Sequence, residues 1–80
     1  MYGYLVKIPD GWPDDKRKHL YNWLDKTSEG ILHHDGNYRA PSYTFMTLEK
    51  FADLSSVYVS FQIPHDVEIT DVSHWDWSQL

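Results

Sequence analysis

The residues best suited to chemistry are three groups in which histidine stands beside an acid. They are His33-His34-Asp35, His65-Asp66, and His74 two positions before Asp76. Imidazole and carboxylate together can ligate a divalent transition metal, or serve as a general acid–base pair for hydrolysis. A small metal-dependent hydrolase or nuclease would therefore draw on His33, His34, Asp35, His65 and Asp66. The spacing matches neither H-E-x-x-H nor another zinc pattern. All three groups fall at expected strand ends or loops, and loop composition alone favours His, Asp, Asn and Gly. The expectation is therefore no metal, no cofactor and no catalytic residue.

Other catalytic signatures are missing from the chain. It has no Cys, no G-x-S-x-G, no P-loop and no dinucleotide-binding glycine pattern. Its four glycines in 80 residues leave little backbone for cradling phosphates.

Aromatic residues open two non-catalytic readings. Four Trp, six Tyr and three Phe are a large apolar supply for so short a chain. Two of the tryptophans, Trp75 and Trp77, lie close to Tyr and Arg in chemistry if not in sequence: Tyr38 and Arg39 occupy a turn-rich loop over 35–41. Trp, Tyr and Arg dominate interface hot spots, so these four residues are the expected anchors for a protein partner. Trp75 and Trp77 could equally fold back and close a small core. Single-stranded nucleic acid bound on a sheet face is a third reading, with Tyr58 and either Tyr2 or Tyr4 as stacking platforms. The net charge of −5 opposes it, and no RNP-like string is present.

That charge suits docking onto a basic surface of another protein. The leading expectation is a non-catalytic protein-binding module: an adaptor, a regulator, or an inhibitor of the kind phages direct at host systems. A homodimer is compatible with it. No apolar run nears the roughly 20 residues of a membrane span, and the first residues lack the pattern of a signal peptide. Freedom from cysteine fits a reducing cytoplasm.

These residues need a scaffold, and the periodicities predict one. Residues 2–8 read as a strand with Tyr4, Val6 and Ile8 on one face; Leu5 on the other makes it central. Pro13 opens a helix over 13–28, with Asp14 and Asp15 in its first turn. Leu20, Trp23, Leu24 and Thr27 share its inner face, and Gly30 is its stop. Residues 31–34 form a short strand and 42–46 another. Thr47 caps a helix over 48–54, with Leu48, Phe51 and Ala52 inward. Over 56–63, Val57, Val59, Phe61 and Ile63 alternate with Ser56, Tyr58, Ser60 and Gln62, which predicts a strand. After a turn at 64–66, residues 67–72 make a last strand.

The order is β-α-β-β-α-β plus a C-terminal strand. That suits a small ferredoxin-like α+β sandwich, one domain over residues 1–80. Its predicted core unites Val6, Leu20, Trp23, Leu24, Phe51, Val59, Phe61 and Ile69.

Overall fold

A computed structural model describes residues 1–32 and 41–77. Its elements follow the order β1 (Tyr2–Lys7), α1 (Asp14–Thr27), β2 (Gly30–Leu32), β3 (Ser42–Thr47), α2 (Leu54–Ser60) and β4 (Glu68–Asp71). The strands form one antiparallel sheet in the order β2-β3-β1-β4. The protein is thus a small α+β structure whose N-terminal strand is central.

Alternation along β1 sets the two faces. Tyr4 and Val6 stand opposite Phe45 and Tyr43 of β3, and Val6 opposite Ile69 of β4. All five are buried, together with Leu20 and Leu24 from α1 and Val57 from α2. The helices therefore cover this face. Gly3, Leu5 and Lys7 lie on the other, where Lys7 pairs across the strands with Glu68. β4 is an edge strand, and only Ile69 of its four residues is buried.

α1 forms much as the sequence predicts, within a residue of each expected end. Pro13 is its N-cap rather than its first helical residue, and Asp14 and Asp15 occupy the first turn. The helix stops before Gly30, which instead begins β2. Ser28 closes it: both its backbone N–H and its Oγ donate to the Leu24 carbonyl, at 3.0 and 2.7 Å.

The second half differs from expectation. Residues 48–54 do not make the second helix. Thr47 is buried, and its Oγ1 accepts from the Glu49 N–H at 3.3 Å in a local turn; Leu48 and Ala52 point outward. Phe51 alone of the three turns in, its ring edge-on to Tyr4 and Phe61. The strand predicted over 56–63 is instead α2 and its C-terminal turn. Asp53 caps the helix, its Oδ1 accepting from the Ser56 N–H at 2.9 Å. The apolar set Leu54, Val57, Tyr58 and Phe61 has helical spacing, and once wound this way Val59 is thrown outward, 76% exposed. Val59 is thus removed from the predicted core, while Trp23 and Phe51 are only partly buried. The last strand is the fourth, not the fifth: among the described residues none follows β4.

Tyr58, expected on a sheet face, lies on α2. Its hydroxyl donates to the Val67 carbonyl. Of the two alternatives proposed to stack with it, Tyr4 is 3% exposed within the core and Tyr2 is partly buried against the core.

Among the described residues, no helix is long and apolar enough to cross a membrane.

Candidate functional site

Where α1 begins, the backbone carbonyls of Pro9 and Trp12 must be satisfied while the chain turns from β1. Trp12 closes the turn, donating its backbone N–H to the Pro9 carbonyl at 3.2 Å. Arg17 then reaches back: Nη2 donates to the Pro9 carbonyl at 2.9 Å and Nε to the Trp12 carbonyl at 3.4 Å. Arg17 is buried, so this cation, which the sequence groups with Lys16 and Lys18, is withdrawn from the surface and structures the turn.

Beside the core-facing stripe of α1 runs a second stripe, Trp12, Lys16, His19 and Trp23, at spacings of four, three and four. With Leu20 and the turn residues Gln62 and Pro64 it lines a cleft of about 290 Å3. The two indoles make its walls. Trp12 Nε1 donates to Asp66 Oδ2 at 2.8 Å, and Trp23 Nε1 donates to the Phe61 carbonyl at 2.8 Å. Each indole has one N–H to give, and both are committed to the fold. What they present to the cleft is apolar ring surface. The Lys16 ammonium sits 3.9 Å from the Trp12 ring centroid, within cation–π range. His19 and Gln62 are exposed on the lip.

The far wall depends on an unusual backbone. α2 ends in a Schellman arrangement: Ile63 N–H donates to the Tyr58 carbonyl at 2.9 Å and Gln62 N–H to the Val59 carbonyl at 3.3 Å. The residue between helix and exit must be left-handed, and Gln62 takes that role with φ 52°. Glycine is the usual occupant. A side chain is therefore displayed on the lip at a position that ordinarily carries none.

The predicted site residues are placed as follows. His65 and Asp66 face different partners: the His65 ring stacks on Tyr58 at 5.9 Å, while Asp66 holds Trp12. His33, His34, Asp35, Tyr38 and Arg39 lie outside the described residues. Among the described residues, no three His, Asp or Glu side chains gather as a metal site would require.

Trp75 and Trp77 are brought together, ring centroids 6.3 Å apart and both half-buried. The chain reaches them through a tight anchor on β1. Val72 N–H donates to the Gly3 carbonyl at 2.9 Å, and Gly3 N–H donates to Ser73 Oγ at 3.0 Å. Asp71 Oδ1 accepts from the Ser73 N–H at 2.9 Å and from its Oγ at 2.7 Å. Those two hydrogen bonds lower the Asp71 carboxyl below its ordinary range, helped by the charges of His74 and Lys50. Trp77 then donates Nε1 to the Val72 carbonyl at 3.2 Å and lays its ring over Gly3, on the face opposite the helices. Elsewhere, burial raises the hydroxyl pKa of Tyr4, with the charge of Asp71 adding to it.

Comparison with protein-family models, with curated proteins and with solved structures found no match.

Sequence reading missed the cleft residues Trp12, Lys16, His19, Trp23 and Gln62. The 4-3-4 spacing of the first four was the available signal.

Proposed function

We propose that this chain is a non-catalytic protein-binding domain, a small acidic adaptor, regulator or inhibitor, including the phage-type inhibitor of a host system. Its docking point is the cleft between Trp12 and Trp23. The observation that carries this reading is the cleft itself: a recess of about 290 Å3 walled by two indoles with their N–H groups already engaged, Trp12 being 8% exposed and Trp23 half-buried. Anchor side chains seated in such recesses supply most of the energy of many interfaces. The reading places the protein in the cytoplasm, in keeping with a cysteine-free chain. We also read the fold as a ferredoxin-like sandwich; the element order and the strand order β2-β3-β1-β4 support this.

The tail pair Trp75 and Trp77, with Tyr38 and Arg39, is the other proposed surface. The seating of Trp77 on Gly3 favours a structural role for that indole.

Photo-crosslinking in the native host tests the docking point. Benzoylphenylalanine replaces His19 in one variant, Trp75 in a second and Val59 in a third, as control. A discrete protein adduct from position 19 alone is the expected result. An adduct from position 75 alone would move docking to the tail, and no adduct from either would refute the reading.

A further inference from the structure

The charges around the cleft restrict what it accepts. Lys16 and His19 flank it from α1, whereas the acids of the same helix fall mainly elsewhere. At 100° per residue, Asp14 and Asp25 lie across the helix from the cleft stripe. Asp25 is close enough to Tyr21, on that far flank, to raise its hydroxyl pKa after burial has done so. Asp15 stands at the cleft's margin, one turn before His19. Asp66 stands at the edge of the Trp12 ring, accepting from its N–H at 2.8 Å. The lip thus carries a cation held over an aromatic wall in a molecule whose net charge is −5. Lys16 is the one formally charged side chain among the residues that line the cleft, with Asp15 and Asp66 beyond its rim.

From this charge complementarity we propose that the cleft receives an acidic peptide segment: a large apolar side chain between the indoles, with an adjacent carboxylate on Lys16. This rests on the docking reading above and specifies its partner. The apolar side chain needs no donor from the walls, and they have none to give. The carboxylate pairs with an ammonium already positioned at the rim. Gln62, held outward by its left-handed backbone, is placed to bond the peptide main chain. Contact with Lys16 is the attractive term, and repulsion from acids more than about 8–10 Å away is screened in physiological salt.

Nuclear magnetic resonance of the full chain supplies the test, since the four tryptophan indole N–H signals report each site separately. Three blocked pentapeptides are titrated: phenylalanine between two aspartates, phenylalanine between two lysines, and alanine between two aspartates. The first is expected to shift the Trp12 and Trp23 signals and the backbone of residues 62–64, leaving Trp75 and Trp77 unmoved. The other two are expected to bind more weakly. Lys16→Glu should weaken the aspartate peptide about three- to tenfold at low ionic strength, an effect that shrinks in high salt. Lys16 is exposed, so unchanged backbone signals elsewhere will verify the fold, and His19→Glu is the second variant. Equal or tighter binding of the lysine peptide at Trp12 and Trp23 would overturn the acidic assignment while leaving the cleft as docking point. Shifts confined to Trp75 and Trp77, or no shift with any peptide at millimolar concentration, would overturn both.

Discussion

Replacing Gly3 by alanine isolates the junction between the C-terminal segment and the sheet. A Cβ built on Gly3 would lie 1.7 Å from Trp77 Cζ2, 2.2 Å from Cε2 and 2.6 Å from Cη2. No side chain tolerates those distances, so either β1 moves or the indole leaves. β1 is held by β3 on one side and β4 on the other, across ten paired positions. The indole is held by one hydrogen bond of 3.2 Å, its ring contact with Trp75 and partial burial, so it yields first. The loss is therefore capped by what Trp77 contributes. Overpacking in well-packed sites typically costs about 1–3 kcal/mol, and a half-buried Trp is worth a fraction of the 3–5 kcal/mol of a fully buried one. Gly3→Ala should destabilise by about 1–3 kcal/mol, with each kcal/mol lowering the melting temperature by about 4–8 °C. A double-mutant cycle with Trp77→Ala gives the decisive comparison. Without the indole, alanine at position 3 meets no obstacle there, and Gly3→Ala should be neutral or stabilising by about 0.5–1 kcal/mol, because alanine in a strand restricts the unfolded chain. Thermal and urea unfolding of the four proteins measures this. Equal destabilisation by Gly3→Ala in both backgrounds would refute the reasoning, placing the strain in β1 itself.

Two further predictions follow from the backbone and from Asp71. Gln62→Gly relieves a left-handed side-chain residue and should stabilise the protein by about 0.5–1 kcal/mol in urea unfolding, after allowing for the greater freedom of glycine when unfolded; a loss of stability would show that the Gln62 side chain makes a compensating contact. Asp71 has a folded pKa below its unfolded one, so its contribution is fully present above the ordinary carboxylate range and is lost as pH falls through the folded value. Asp71→Asn should accordingly be less stable than the parent near neutrality, and the difference should close on acidification below pH of about 4; a gap independent of pH would contradict this.

What the sequence made legible was mostly what a single periodicity decides. In β1 and β3 the alternating apolar residues match one sheet face, and in α1 the 3.6-residue stripe has acids at its start. Residues 54–63 obey two periods at once. Val57, Val59, Phe61 and Ile63 alternate as a strand would, while Leu54, Val57, Tyr58 and Phe61 repeat as a helix would. β-branched residues weight the first reading locally. The cap at Asp53 and the burial of Val57 and Phe61 against the sheet decide for the second. The interface anchors were sought among loop aromatics, yet the cleft uses a helix. Trp23 was legible as apolar, but the stripe it shares with Lys16 appears only when Trp12 is counted with the helix it precedes. Nothing in the local composition singles out Gln62, because a left-handed helix exit ordinarily announces itself by glycine.

The position of β1 constrains how the chain reaches this structure. On the ribosome β1 is made before either of its partners, β3 at 42–47 and β4 at 68–71. Its apolar face has no sheet to join until β3 emerges, and its outer edge stays open until β4, Ser73 and Trp77 arrive from some 70 residues away. Completion of the sheet around β1 therefore depends on contacts distant in sequence. A premature stop upstream of β4 would strand an apolar, half-paired strand in the crowded cell, where degradation and aggregation compete for it.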